Sequence, residues 1–242
     1  MSTYKRPTID SVEFRDESGS VIDYGNRWAD LGVAPDEMYE VVDHPERFKP
    51  LHTIASAVVT HVTELFEVDS EEGYGLLSAY PHVPDPEYVD RVVRLTPRSP
   101  QAAPITFVWI NSPAASIFAG ALFHTSYPSC ACNACDERWD ACADELEEQV
   151  FSIISGGLSE HISKPKHPKW SYERGLGLVR GMGQTVSHSL LMRDGISEES
   201  GGSSAESIPA ELLEAAQLKL RRAGISDSEE GWVPWPKKEP QP

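Results

Sequence analysis

The spacing of apolar residues changes several times along the chain, and each change marks an element. Between about Pro45 and Glu67, Leu51, Ile54, Ala55, Val58, Val62, Leu65 and Phe66 recur every three or four positions. That period places them on one stripe of a helix, with His52 and His61 off the stripe. Three short apolar runs follow: Val89 to Leu95, Ile105 to Ile110 and Ile117 to Phe123. They are rich in β-branched, aromatic and small apolar residues, are bounded by Pro, Ser or Asn, and predict strands. Their connections are short, so neighbours should run antiparallel. Helical spacing returns from about Asp136 to Ser155, where Trp139, Cys142, Leu146, Val150, Ile153 and Ile154 share a face. Gly156-Gly157 supplies a stop. Two further strands are expected at roughly Trp170 to Val179 and Gln184 to Met192, around Arg180-Gly181-Met182-Gly183. A last helix, Pro209 to Ala223, opens on proline and ends at Gly224, which suits both residue types.

Helix, three strands, helix, two strands, helix is the order of an α+β fold. We expect a mostly antiparallel sheet of about five strands with helices packed on one face. The remaining segments have weaker patterns. Residues 1–30 read as a lead-in that packs on the body through its aromatics, and Val68 to Glu87 reads as a connection rich in proline and acid. Ser197 to Ser207 has almost nothing to bury and predicts a mobile loop. The organisation expected is therefore a domain over 1–196, a flexible loop over 197–208, and a helix with a Trp/Pro tail over 209–242. Trp232 and Trp235 lie between prolines in that tail. Exposed tryptophans are costly to solubility, so the tail should dock back on the domain.

Charge narrows the function classes. A formal net charge of −17 repels nucleic-acid phosphates and anionic membranes. The basic runs, Lys164, Lys166 and Lys169, then Lys219, Arg221 and Arg222, are short and read as solvated surface. No run reaches the roughly 18 apolar residues of a membrane span, and the first ten residues lack an apolar signal core. A cytoplasmic protein is expected, with a protein or small molecule as partner and neither nucleic acid nor membrane.

The chemistry sits in the cysteines. All four lie between Cys130 and Cys142. Disulfides of secreted scaffolds usually join distant segments, so a tight local cluster suggests thiols in a reducing compartment. Zinc takes four thiolate or imidazole ligands in a tetrahedron. Cys132-x-x-Cys135 has the spacing for two of them, and Cys130 can supply a third. The fourth candidates are His124, Asp136 and Cys142. Cys142 falls about 10 Å further along the helix than Cys135, which makes it the poorer ligand. The preferred set is Cys130, Cys132, Cys135 and His124, holding zinc. Free structural thiols and a reactive thiol beside the helix N-terminus remain alternatives.

Other motifs weigh less. Gly175, Gly177, Gly181 and Gly183 are not followed by the Lys-Ser/Thr of a phosphate loop. Ser187-His188 lacks a nucleophile elbow. Asp144, Glu145, Glu147 and Glu148 read as the solvated face of an amphipathic helix.

Ile22-Asp23-Tyr24-Gly25-Asn26-Arg27-Trp28, the segment from Cys130 to Glu137, and Gly231-Trp232-Val233-Pro234-Trp235-Pro236 carry a resemblance across the whole chain. On these pieces the protein resembles a bacterial family, the domain-of-unknown-function 6226 family. The resemblance implies an actinobacterial cytosolic protein and carries over no catalytic residue. The expectation is a zinc-stabilised, non-catalytic binding or accessory protein. The alternative is a thiol- or zinc-dependent enzyme built on the cluster from Cys130 to Cys135.

Overall fold

The structure is a computed structural model and describes residues 3–164, 170–173, 177–180, 184–225 and 231–239. A meander lies at its centre. Strands β1 (Val68–Glu72), β2 (Val89–Pro97), β3 (Ile105–Ile110), β4 (Ala114–Ala119) and β5 (Phe123–Tyr127) lie side by side in chain order. Each neighbouring pair is antiparallel. Helices α1 (Pro50–Leu65) and α2 (Trp139–Ile154) cover one face. Leu51, Ile54 and Val58 of α1 and Leu146, Val150 and Ile153 of α2 are buried in one core with Leu95, Ile105, Phe107 and Ile117. The other face carries Val92, Val108 and Phe118, packed against Leu77 and Tyr80. Those last two come from a 3-10 turn at Tyr74–Ala79 and the residue after it. Burial on both faces explains why β3 and β4 read as near-continuous apolar runs, broken only by buried Thr106 and Ser116, instead of alternating.

A second antiparallel sheet follows. Strand β6 (Leu158–Ile162) precedes a two-stranded hairpin, β7 (Trp170–Glu173) with β8 (Gly177–Arg180). Strand β9 (Thr185–Leu191) then pairs with both β6 and β10 (Glu198–Ser204). Helix α3 (Ala210–Ala223) starts after Pro209 and ends at Gly224 in a left-handed cap. The architecture is α+β, with the five-stranded antiparallel sheet expected. No described helix is long and apolar enough to cross a membrane.

Five departures from the sequence expectation stand out: β6 is not among the strands expected, the single strand expected over Trp170 to Val179 is the antiparallel pair β7 and β8, and three more follow. The connection after α1 contains β1, whose Val-Asp-Ser-Glu-Glu is mostly exposed at the sheet edge. One apolar residue cannot set up a periodic signal, and the ladder to β2 holds the strand instead. The strand expected over Ile117 to Phe123 is two strands, because the chain turns at Gly120. There φ is +55°, and a Cβ would lie 2.1 Å from Glu160 Oε2. Finally, most of the segment expected as a mobile loop forms β10, paired along its length with β9. Residues 174–176 and 181–183, within the expected strand from Trp170 and the turn after it, lie outside the described residues, as do Lys166 and Lys169.

Glu160 joins these parts. It is 5% exposed on β6. Its carboxylate accepts backbone N–H groups from Ala121 at 2.7 Å, Leu122 at 2.6 Å and Phe123 at 2.9 Å. It also accepts the Trp232 indole N–H at 2.8 Å, while Trp235 donates to the Ala103 carbonyl at 2.8 Å. A buried carboxylate is tolerable because four donors replace its water. The β4–β5 turn, the second sheet and the C-terminal tail thus share one anchor. Glu160→Ala orphans those donors, each at about 1–3 kcal/mol. We expect a loss on the order of 3–5 kcal/mol in urea unfolding. A loss under about 1 kcal/mol would show that the carboxylate is not the anchor.

Candidate metal centre

The chain leaves β5 through a cis Tyr127–Pro128 bond and runs to α2 as an irregular loop. Backbone polar groups in such a loop need partners other than a ladder. Glu137, Arg47 and the Trp28 indole supply several of them, while the Asn133 and Asp136 side chains bind the loop to distant segments. Glu137 reaches back, accepting the Cys130 N–H at 2.9 Å and the Ser129 hydroxyl at 2.6 Å on Oε1, and the Ser129 N–H at 3.1 Å on Oε2. This closes the loop on itself. Asn133 is 1% exposed. Its side chain pairs twice with Asp43, accepting the backbone N–H at 3.0 Å and donating to the carboxylate at 2.7 Å. Its own carbonyl accepts the Trp28 indole N–H at 3.0 Å.

Asp136 has φ +52°, a left-handed conformation that Asp tolerates better than most residues. Its Oδ2 accepts the N–H of Gly25 at 2.7 Å and of Arg27 at 2.9 Å. Gly25 is required there: a Cβ would lie 2.4 Å from Arg138 Cδ. The lead-in thus wraps the cysteine loop, as its aromatics suggested. Two arginines flank the wrap. Arg27 and Arg47 lie over the Tyr24 ring, their guanidinium carbons 4.6 and 4.4 Å from its centroid. Arg47 also donates to the Ala131 carbonyl at 2.9 Å. Burial lowers its pKa, and the nearby Asp136 and Cys142 oppose that.

The loop gathers three sulfurs. Cys130, Cys132 and Cys135 have Sγ atoms all within 4.8 Å of one another. Cys130 and Cys132 are 3.2 Å apart. An ion bonded to three sulfurs at about 2.3 Å in tetrahedral geometry spaces them about 3.8 Å apart, so the cluster fits a thiophilic metal. Every cysteine is a free thiol. The Cys135 backbone N–H lies 3.4 Å from the Cys132 sulfur and holds that thiol below its ordinary pKa. Cys135 is pushed up to about 12, chiefly by hydrogen bonding with the Cys130 and Cys132 sulfurs. A bound cation relieves that mutual penalty by displacing the protons.

The fourth ligand does not follow the sequence expectation. His124 is not in the convergent group. It stands across from Phe118 on β5, and their rings stack with centroids 4.3 Å apart. Strand alternation sets its side chain on the face opposite Phe123 and Tyr127, which enter the helix-side core. Asp136 is engaged by the lead-in. Cys142 is buried on α2 with its sulfur 3.3 Å from Glu137. Burial, then the Glu137 carboxylate, pushes its pKa well up. Three protein donors converge among the described residues. Sequence reasoning missed the supports Glu137, Asn133 and Arg47. The only available signal was the density of Asn, Asp and Glu in a short loop, which favours side-chain to backbone bonding.

Fold and site together define an α+β protein with a three-thiol cluster clamped between its lead-in and its second helix. The chain belongs to the family described as "Family of unknown function (DUF6226)", which matches residues 10–239. No curated protein and no solved structure matches it.

The clamp can be tested without metal. Asp136→Ala removes the acceptor of two part-buried amides and puts alanine at positive φ. It should cost about 2–4 kcal/mol and speed amide exchange over residues 23–28. Unchanged exchange there would show that other contacts hold the lead-in.

Proposed function

We propose that the protein is a zinc-stabilised, non-catalytic binding or accessory protein of the bacterial cytosol. Cys130, Cys132 and Cys135 hold the ion. The observation that carries this reading is the convergence of three free thiols in one closed loop. Thiolate-rich sites select zinc among common divalent ions. A reducing compartment keeps such thiols available. The loop runs from β5 to α2 and holds the lead-in through Asp136, so an ion there would stiffen the platform on which that distant segment docks. The net charge of −17 supports a protein or small molecule as partner over nucleic acid or an anionic membrane.

One observation favours a second reading. Three protein ligands with one position left open is also the form of catalytic zinc, and Cys135 is exposed. The two readings differ in what metal removal does. Elemental analysis of freshly purified, reduced protein should give about one zinc per chain. Cys132→Ser should abolish it, and Cys142→Ser should retain it. Chelation should lower the melting temperature by several degrees, since binding energy at a structural site is folding energy. Metal-free reduced protein that takes up no added zinc would overturn the site. Zinc whose removal leaves stability unchanged would favour the enzyme.

A further inference from the structure

A second site lies on the other side of the central sheet. A cavity of about 260 Å³ opens between the five-stranded sheet and β9–β10. Its walls include His82, His124, His188, Phe118, Ser203 and Ser207. Two features show that the imidazoles are placed by more than packing. His82 sits at φ +55°, a region that non-glycine residues enter uncommonly. His188 pairs across the ladder with Gly201, where a Cβ would lie 2.8 Å from the imidazole. Glycine on β10 is what leaves room for that ring, which otherwise meets Phe123 edge-on at 5.1 Å.

The rings form a row. Tyr80 packs on Phe118 with centroids 4.7 Å apart, and Phe118 stacks on His124 at 4.3 Å. Strand β5 is the edge of its sheet, so His124 is the last ring, and the next position falls in the cavity. The walls contain no Lys, Arg, Asp or Glu. Desolvation against the neighbouring rings and cavity wall holds His124, which keeps an exposed edge, and half-buried His188 below the ordinary imidazole pKa, so at neutral pH each offers one donor and one acceptor. Among the described residues these imidazoles do not form a convergent donor group for a single ion. The volume is below the roughly 300–1,000 Å³ of drug-sized sites, which suits one or two fused rings.

We propose that this cavity binds a small, neutral, planar heteroaromatic molecule of nucleobase type, stacked on His124 and hydrogen-bonded at its edge by His82, His188, Ser203 and Ser207. The charge-free wall and the acidic surface disfavour the phosphorylated form of the same ring. The site is independent of the cysteine cluster.

The test is titration of the full chain with adenine, uracil and AMP, followed by calorimetry and by the histidine ring resonances. Adenine or uracil should bind with Kd below about 1 mM, shift the rings of His82, His124 and His188, and bind more tightly than AMP. His124→Ala should weaken binding about tenfold, the loss of one base–aromatic stack. His124→Phe, which keeps a ring, should retain most of the affinity. Absence of binding by both bases would overturn the proposal. So would unchanged affinity in a His124→Ala variant that melts like the wild type, or preference for AMP. Zinc shifting all three rings of the Cys132→Ser protein, where the thiol site is disabled, would assign the cavity to a metal instead.

Discussion

An irregular loop can gather three thiols only if its backbone polar groups are satisfied by something outside a ladder. Everything local to the cysteines follows from that constraint. Glu137 ties the loop's start to its end. Asn133 and Asp136 face outward from it, Asp136 taking the lead-in as partner and Asn133 taking Asp43. The lead-in, with little regular structure of its own, is ordered in turn by the loop. Each segment supplies what the other lacks, and the sulfurs are brought together as a consequence.

The same logic recurs on the far side of the molecule. Glu160 is a buried carboxylate on β6 kept in place by four N–H donors from two other segments, the β4–β5 turn and the C-terminal tail. It fixes the tight turn between β4 and β5, and hence the position of β5 as edge strand. That edge brings His124 next to the second sheet, where Gly201 admits His188. The cysteine loop and the histidine cavity therefore lie at opposite ends of one short strand, on opposite faces of the sheet.

Most elements with a core to fill were legible in the sequence, β6 with its buried Leu158 being an exception. Helices α1 and α2 and strand β3 bury continuous or periodic apolar sets, and their patterns gave them away. Strands β1 and β10 bury almost nothing. They exist through pairing with β2 and β9, and pairing leaves no mark in one strand's own composition. The convergence of the three cysteines was legible because two- and three-residue spacing in a turn leaves sulfurs little choice. His124 was misplaced for a geometric reason. Reading the strand as ending at Phe123 made His124 the first residue of the loop, free to turn inward. Once Gly120 restarts the strand at Phe123, alternation decides its side, and it faces away from the thiols. The Tyr24–Trp28 segment announced only that it packs on the body, and the supports from Asp43 and Arg47, far along the chain, had no local signature.

The most direct test of the three-thiol centre is X-ray absorption at the zinc edge of the reduced, full-length protein. A zinc ion held as described gives three sulfur neighbours at about 2.3 Å and one lighter atom. A shell of nitrogen and oxygen alone, or four sulfurs that include Cys142, would contradict it.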